Sequence, residues 1–179
     1  MFLAMVCFLS VTNVMAEEFT LSSLQVKDGE RMPKERVFNG SGCDGANISP
    51  ALTWTGVPEG TKSFAVTVYD PDAPTGSGWW HWVIFNIPAI ADGLVENAGN
   101  INANLYPAGS IQSKTDYGIF GYGGPCPPAG DKPHRYQFTV YALSVDKLPL
   151  DENATAAMVG YYLNQNSIKK ASIQAYYSR

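Results

Sequence analysis

Three runs of β-branched and aromatic residues, each closed off by glycine and proline, restrict the fold of this chain more than any other feature. Phe64 to Tyr69 reads FAVTVY and is followed by Asp70 to Gly78, which holds Pro71, Pro74, Gly76 and Gly78. His81 to Ile87 reads HWVIFNI and stops at Pro88, and Arg135 to Leu143 reads RYQFTVYAL. Residues of these types fill pleated, half-buried surfaces, so each run predicts a strand. The prolines between them lack an N–H and fix φ, so the connections cannot continue as regular structure.

Weaker signals fill the rest. Phe19 to Leu24 predicts a short edge strand, and Leu52-Thr53-Trp54-Thr55 alternates apolar and polar before a turn at Gly56 to Gly60. Val37 to Pro50, residues 89 to 116 and Tyr117 to Gly130 read as loop. One helix is expected at about Asn153 to Asn164, capped by Asp151 or Asn153, with Ala157, Met158, Tyr161 and Tyr162 at helical spacing. Ser172 to Tyr177 predicts a last strand. The sum is a mainly β (α+β) domain with a peripheral helix. A length of 179 residues fits a single domain, with no repeat or linker to divide it.

The first sixteen residues differ from the remainder. Met1 to Ala16 contains no Asp, Glu, Lys or Arg, its apolar stretch is too short to span a bilayer, and it ends in Val14-Met15-Ala16 before Glu17-Glu18. This is read as a signal peptide over residues 1–16, although no basic residue opens it, with a single domain over 17–179 and a periplasmic or secreted location. The alternative is a buried N-terminal element. Of three cysteines, Cys7 falls in the leader, leaving Cys43 and Cys126. In an oxidising compartment that pair is expected to form a disulfide. Closing the loop from 43 through 126 is worth roughly 4 kcal/mol in the chain-entropy model. Two independent buried thiols are the other reading.

The net charge is −4, and no basic cluster exists beyond Lys169-Lys170, so nucleic acid is excluded as a partner. No basic amphipathic helix supports stable attachment to a membrane surface. There is no Gly-x-Ser-x-Gly elbow, no Gly-Lys-Ser/Thr phosphate loop and no dinucleotide fingerprint at Gly121 to Gly124. A Cys₂His₂ zinc set from Cys43, Cys126, His81 and His134 would need close pairs that the spacing lacks, so neither metal nor cofactor is expected.

Chemistry concentrates at strand ends. Asp70-Pro71-Asp72-Ala73-Pro74 follows the first strong run, and alternation places Asp70 and Asp72 on one side. In Pro133-His134-Arg135-Tyr136, His134 and Tyr136 share a side and Arg135 faces away. The chain has two histidines, His81 and His134, both at strand starts beside loops. Residue types alone leave two readings open: a functional cluster, or an Asx turn and satisfied core histidines.

Four stretches taken together are similar to the landmarks of one family. They are Ser49-Pro50-Ala51-Leu52-Thr53-Trp54-Thr55-Gly56-Val57-Pro58, Asp70 to Pro74, Trp80-His81-Trp82-Val83, and Gly124-Pro125-Cys126-Pro127-Pro128 leading to His134-Arg135-Tyr136. In order and over nearly all of residues 19 to 177, they resemble the phosphatidylethanolamine-binding protein (Raf-kinase-inhibitor-like) family. Gly42 to Gly45 and the cysteine before Pro127 resemble its bacterial YbhB/YbcL branch, in particular the exported YbcL-like members. The resemblance implies an antiparallel β-sandwich and a ligand pocket lined by Asp70, Asp72, His81, His134 and Tyr136. Pro74 and Trp79 would shape its wall, and the backbone from Gly124 to Cys126 its floor. It also implies a cis Ala73–Pro74 bond and a homodimer.

The implied ligand is a phosphate-type anion or phospholipid headgroup. Two carboxylates beside an anion repel it unless protons offset them, on an aspartic acid or on His81 or His134. Tyr136 and loop N–H groups add neutral donors. The function read from this is a non-catalytic binding protein. A protein-interaction module acting on host or envelope signalling is the second reading, and a hydrolase the third. Cys126 stands where eukaryotic members carry glycine, and only Thr75 to Gly78 separates Pro74 from Trp79, a shorter rim that changes which headgroup or partner fits.

Overall fold

A computed structural model describes residues 17–179. The leader expected over residues 1–16, with Cys7 in it, lies outside the described residues. The elements are β1 (Thr20–Ser22), β2 (Asn39–Gly40), β3 (Cys43–Asp44), β4 (Leu52–Thr55), β5 (Ser63–Asp70), β6 (Trp79–Pro88), β7 (Gly93–Leu94), β8 (Ile111–Gln112), β9 (His134–Leu143), α1 (Ala156–Asn166) and β10 (Ser167–Tyr177).

The run FAVTVY becomes the centre of the molecule because water reaches neither of its faces. All of β5 except Tyr69 is buried. A strand covered on both faces reads as a continuous apolar run, and β5 lies in the middle of a five-stranded sheet ordered β10-β9-β5-β6-β8. Both of its pairings are antiparallel. One face carries Phe64, Val66, Val68, Tyr136, Phe138 and Val140, which pack with Leu21, Leu52, Trp54 and Leu94 of a three-stranded sheet ordered β1-β4-β7. The opposite face carries Ala65, Val83, Phe85 and Leu143, covered by Ala156, Val159 and Leu163 of α1. The fold is therefore a mainly β sandwich with one helix on its outer side.

The pairing directions bring functional ends together. The C-terminal end of β5 lies beside the starts of β6 and β9, with Asp70 opposite Trp79 and Tyr69 opposite Gln137. Between β5 and β6 the register slips between Phe64 and Val66 and again beside the strand ends: Val68 faces Trp82, but Tyr69 faces Trp80. His81 is the extra residue of this bulge. Bulges re-aim side chains near sites, and this one puts the His81 ring 5.1 Å from that of Tyr136, on the sandwich face. Strict alternation with Val83 and Phe85 would have sent it toward α1.

Several expectations are corrected. The helix starts later, with Thr155 as N-cap accepting from the Met158 N–H, in place of Asp151 or Asn153. Its buried stripe is Ala156, Val159 and Leu163, whereas Met158 and Tyr161 are exposed. The last strand begins five residues earlier than expected, at Ser167, and the segment read as loop from Val37 to Pro50 contains the β2–β3 hairpin. Among the described residues no peptide bond is cis, so Ala73–Pro74 is trans. There the Thr75 N–H closes a tight turn on the Ala73 carbonyl at 2.8 Å, and a trans X–Pro bond is the intrinsically favoured isomer.

The corrected helix face gives an expected outcome. Leu163→Ala should cost about 2–5 kcal/mol in urea unfolding, because it opens a cavity under the sheet. Met158→Ala should stay within about 0.5 kcal/mol. Equal losses would place the buried stripe elsewhere.

Candidate functional site

At the gathered strand ends lies a cavity of about 450 Å³, lined by residues that include Asp70, Pro74, Trp79, His81, Cys126, His134 and Tyr136. Two wall groups are fixed by charge and hydrogen bonding. Asp70 is buried at the end of β5. Its Oδ1 accepts from the Asp72 N–H at 2.8 Å, and its Oδ2 meets His134 Nδ1 at 2.8 Å. His134 Nε2 lies 3.4 Å from Asp131 Oδ2. Both nitrogens of that ring thus face carboxylates.

His81 is held differently. Its Nδ1 lies 2.7 Å from the Gly123 carbonyl and 3.1 Å from that of Gly124. Carbonyls only accept, so the proton sits on Nδ1. Burial pushes the His81 pKa below the ordinary imidazole value, against the pull of the two carbonyls and of Asp70. In the neutral ring Nε2 is therefore an acceptor. That atom, Trp79 Nε1 and the Tyr136 hydroxyl are all buried without a hydrogen-bond partner. Such groups cost about 1–3 kcal/mol each when left unpaired, and each calls for an explanation. Burial also raises the Tyr136 pKa far above the ordinary phenol value, so the hydroxyl remains a neutral donor.

Two expected site residues lie off the wall. Asp72 does not line the cavity; its carboxylate forms a bidentate pair with Arg135, at 2.9 Å to Nε and 2.7 Å to Nη2. This pairing holds its pKa below the usual carboxylate range. Alternation fails there because the chain has left β5 for an Asx-type turn. Gly124 is also absent from the wall and acts behind it, through the carbonyl that receives His81 Nδ1 and the Tyr117 hydroxyl. A side chain on Gly124 would meet the Arg36 carbonyl at 2.0 Å. Cys126 is on the wall and is joined to Cys43 in a disulfide, tying the β3 end of the hairpin to the loop beside the cavity.

Asp116 and Tyr117 belong to the wall and were not expected there. Tyr117 stacks on Phe38 with ring centroids 4.1 Å apart and meets the Trp79 and His81 rings edge-on. No strand pattern or motif marks these two residues, since they come from a loop placed by tertiary contacts. Among the described residues no group of three or more His, Cys, Asp or Glu is arranged to hold a metal ion. No thiol or hydroxyl of the wall hydrogen-bonds to either imidazole.

Fold and site define a class of β-sandwich proteins with a ring-walled cavity at the ends of the central strands. Residues 22–178 match the family model described as phosphatidylethanolamine-binding protein, and the chain belongs to that family. It is 54% identical over 165 residues to the UPF0098 protein YbcL of Escherichia coli K12, covering 92% of this chain and 90% of the relative. To YbhB of the same organism it is 51% identical over 158 residues, covering 88% and 99%. The crystal structure of E. coli YbcL, described as a new member of the mammalian PEBP family, superposes with a TM-score of 0.89 over 91% of this chain and 99% of that one.

The buried neutral imidazole sets a pH dependence of stability. The unfolded chain binds a proton at His81 near pH 6.5, which the native chain resists. The unfolded state thus holds more protons below that value, and native stability falls as pH drops from about 6.5 toward 5. Urea midpoints for the native sequence and His81→Gln across pH 5–8 should diverge in slope, with the flatter profile in the variant. Parallel profiles would show that His81 takes up its proton as readily in the fold as in the unfolded chain.

Proposed function

We propose that this chain is a non-catalytic receptor for a small phosphate-type anion, free or as a phospholipid headgroup, acting outside the cytoplasm. The observation that carries the reading is the set of buried, unpartnered polar atoms on three neighbouring wall residues, Trp79, His81 and Tyr136. Indole N–H and phenol O–H are neutral donors, suited to an oxyanion without the desolvation cost of a buried cation. The Asp70 carboxylate is partnered by His134, which offsets its repulsion of an incoming anion. The family's name points to the same ligand class. An extracytoplasmic location is supported by the Cys43–Cys126 disulfide, since such bonds are rare under cytosolic reducing conditions.

Catalysis is not favoured by the wall chemistry. Hydrolysis needs a nucleophile or water activated by a base within reach. Asp70 is engaged by His134 and the Asp72 N–H, Cys126 is consumed in the disulfide, and His81 Nε2, the free acceptor of the wall, is hydrogen-bonded to no hydroxyl or thiol that it could activate.

Calorimetric titration with inorganic phosphate tests the reading. Tyr136→Phe and Trp79→Phe should each weaken binding by about 1.5–3 kcal/mol, roughly ten- to hundredfold, as expected for hydrogen bonds to a charged group. Unchanged affinity in both variants would remove the proposed site. Affinity should also rise as pH falls from 8 to 5. Asp70, Asp116, Tyr117 and Tyr136 surround His81, and the ligand sheds negative charge as its proton with a pKa of about 6 returns. Equal affinity from pH 5 to 8 would contradict this.

A further inference from the structure

We infer that the cavity selects a phosphate group that still carries a P–OH proton, a monoester or inorganic phosphate, over phosphodiesters and sulfate. This rests on the phosphate-type reading above and narrows it. The argument is a balance of donors and acceptors. Trp79 Nε1 can only donate, and the Tyr136 hydroxyl is free to donate. The same wall carries two acceptors. One is His81 Nε2, whose role follows from geometry, because two carbonyls already hold the ring's Nδ1 proton. The other is the buried Asp70 carboxylate, which lines the same cavity.

A ligand that satisfies this wall must bring both oxygen acceptors and at least one O–H donor. A monoester monoanion does so, offering two unprotonated oxygens and one P–OH. The phosphate group of a diester, like a sulfate, offers acceptors alone. Either would set an oxyanion against the lone pair of His81 Nε2, with no proton to share. A site built to hydrogen-bond a ligand O–H rejects the analogue that lacks it far more strongly than a hydrophobic site rejects a change of size. At about 450 Å³ the cavity has room for a small ester of either kind, so hydrogen-bond pairing rather than bulk decides.

The experiment uses two matched pairs of ligands, titrated calorimetrically into the full chain at pH 6. Phosphoethanolamine and glycerophosphoethanolamine share an amine and differ by one P–OH. Inorganic phosphate and sulfate share shape and differ by the proton. The first member of each pair should bind at least about tenfold more tightly, the effect of one buried acceptor left unpaired. Equal affinities within both pairs would overturn this inference and leave the phosphate-type reading standing. No binding of any of the four would overturn that reading itself. In His81→Phe the phosphate-to-sulfate ratio should fall toward one, and a ratio kept at its native value would contradict the assigned role. Should that variant fail to fold, the two native pairs decide alone. Co-sedimentation with vesicles separates the sources. Retention by phosphatidic acid vesicles, reversed by phosphoethanolamine, supports a lipid monoester. Retention by neither vesicle type, with the soluble discrimination intact, supports a soluble monoester. Retention by phosphatidylethanolamine vesicles above phosphatidic acid vesicles would overturn the inference.

Discussion

The burial of β5 on both faces is the constraint on which the rest of the molecule depends. A strand with no solvated side must be flanked by partners that satisfy all its backbone groups, and by apolar layers above and below. Here the partners are β6 and β9, each ten residues long, and the layers are the β1-β4-β7 sheet and α1. Because both pairings are antiparallel, the end of β5 meets the beginnings of two other strands. The cavity is the place where this sheet stops. Asp70, Trp79, His81, His134 and Tyr136 sit at the ends of long strands, which fixes their positions, and loops complete the wall.

What the scaffold sacrifices there is also visible. The bulge at His81 interrupts a ladder that is otherwise regular between Val66 and Val68, and it turns an imidazole into the apolar side of the sandwich. Three wall atoms are withdrawn from water with nothing from the protein to replace it. Functional sites are where native proteins tolerate such departures from polar satisfaction. The groups that are satisfied serve as positioning devices: the carbonyls of Gly123 and Gly124 fix one tautomer of His81, and Asp70 and Asp131 bracket His134. The disulfide and the close approach of Gly124 to Arg36 hold the loop that supplies those carbonyls.

The three strong strands were legible because their residue types, FAVTVY, HWVIFNI and RYQFTVYAL, reflect burial that no alternative structure could give them. The strand ends carrying Asp70, His81 and His134 followed from the same reading. What escaped the sequence is where local rules stop applying. Asp72 was grouped with Asp70 by alternation, but the strand had already ended and Arg135 claimed the carboxylate. Met158 and Tyr161 have helical spacing as convincing as that of Val159 and Leu163, and only the position of the sheet decides which stripe is buried. Tyr117 and Asp116 reach the cavity through a loop ordered by contacts with Gly124 and with Phe38 and Trp80, the last two far from them along the chain, which no spacing reveals.

The most direct test of the central claim is a nitrogen-15 NMR measurement of the two imidazoles, free and with saturating inorganic phosphate. In the free protein at neutral pH, His81 should be a neutral ring protonated on Nδ1. Phosphate should then perturb its Nε2 while leaving the Nδ1 proton in place. A His81 ring protonated on Nε2 alone, or one that does not respond while phosphate binds, would contradict the account.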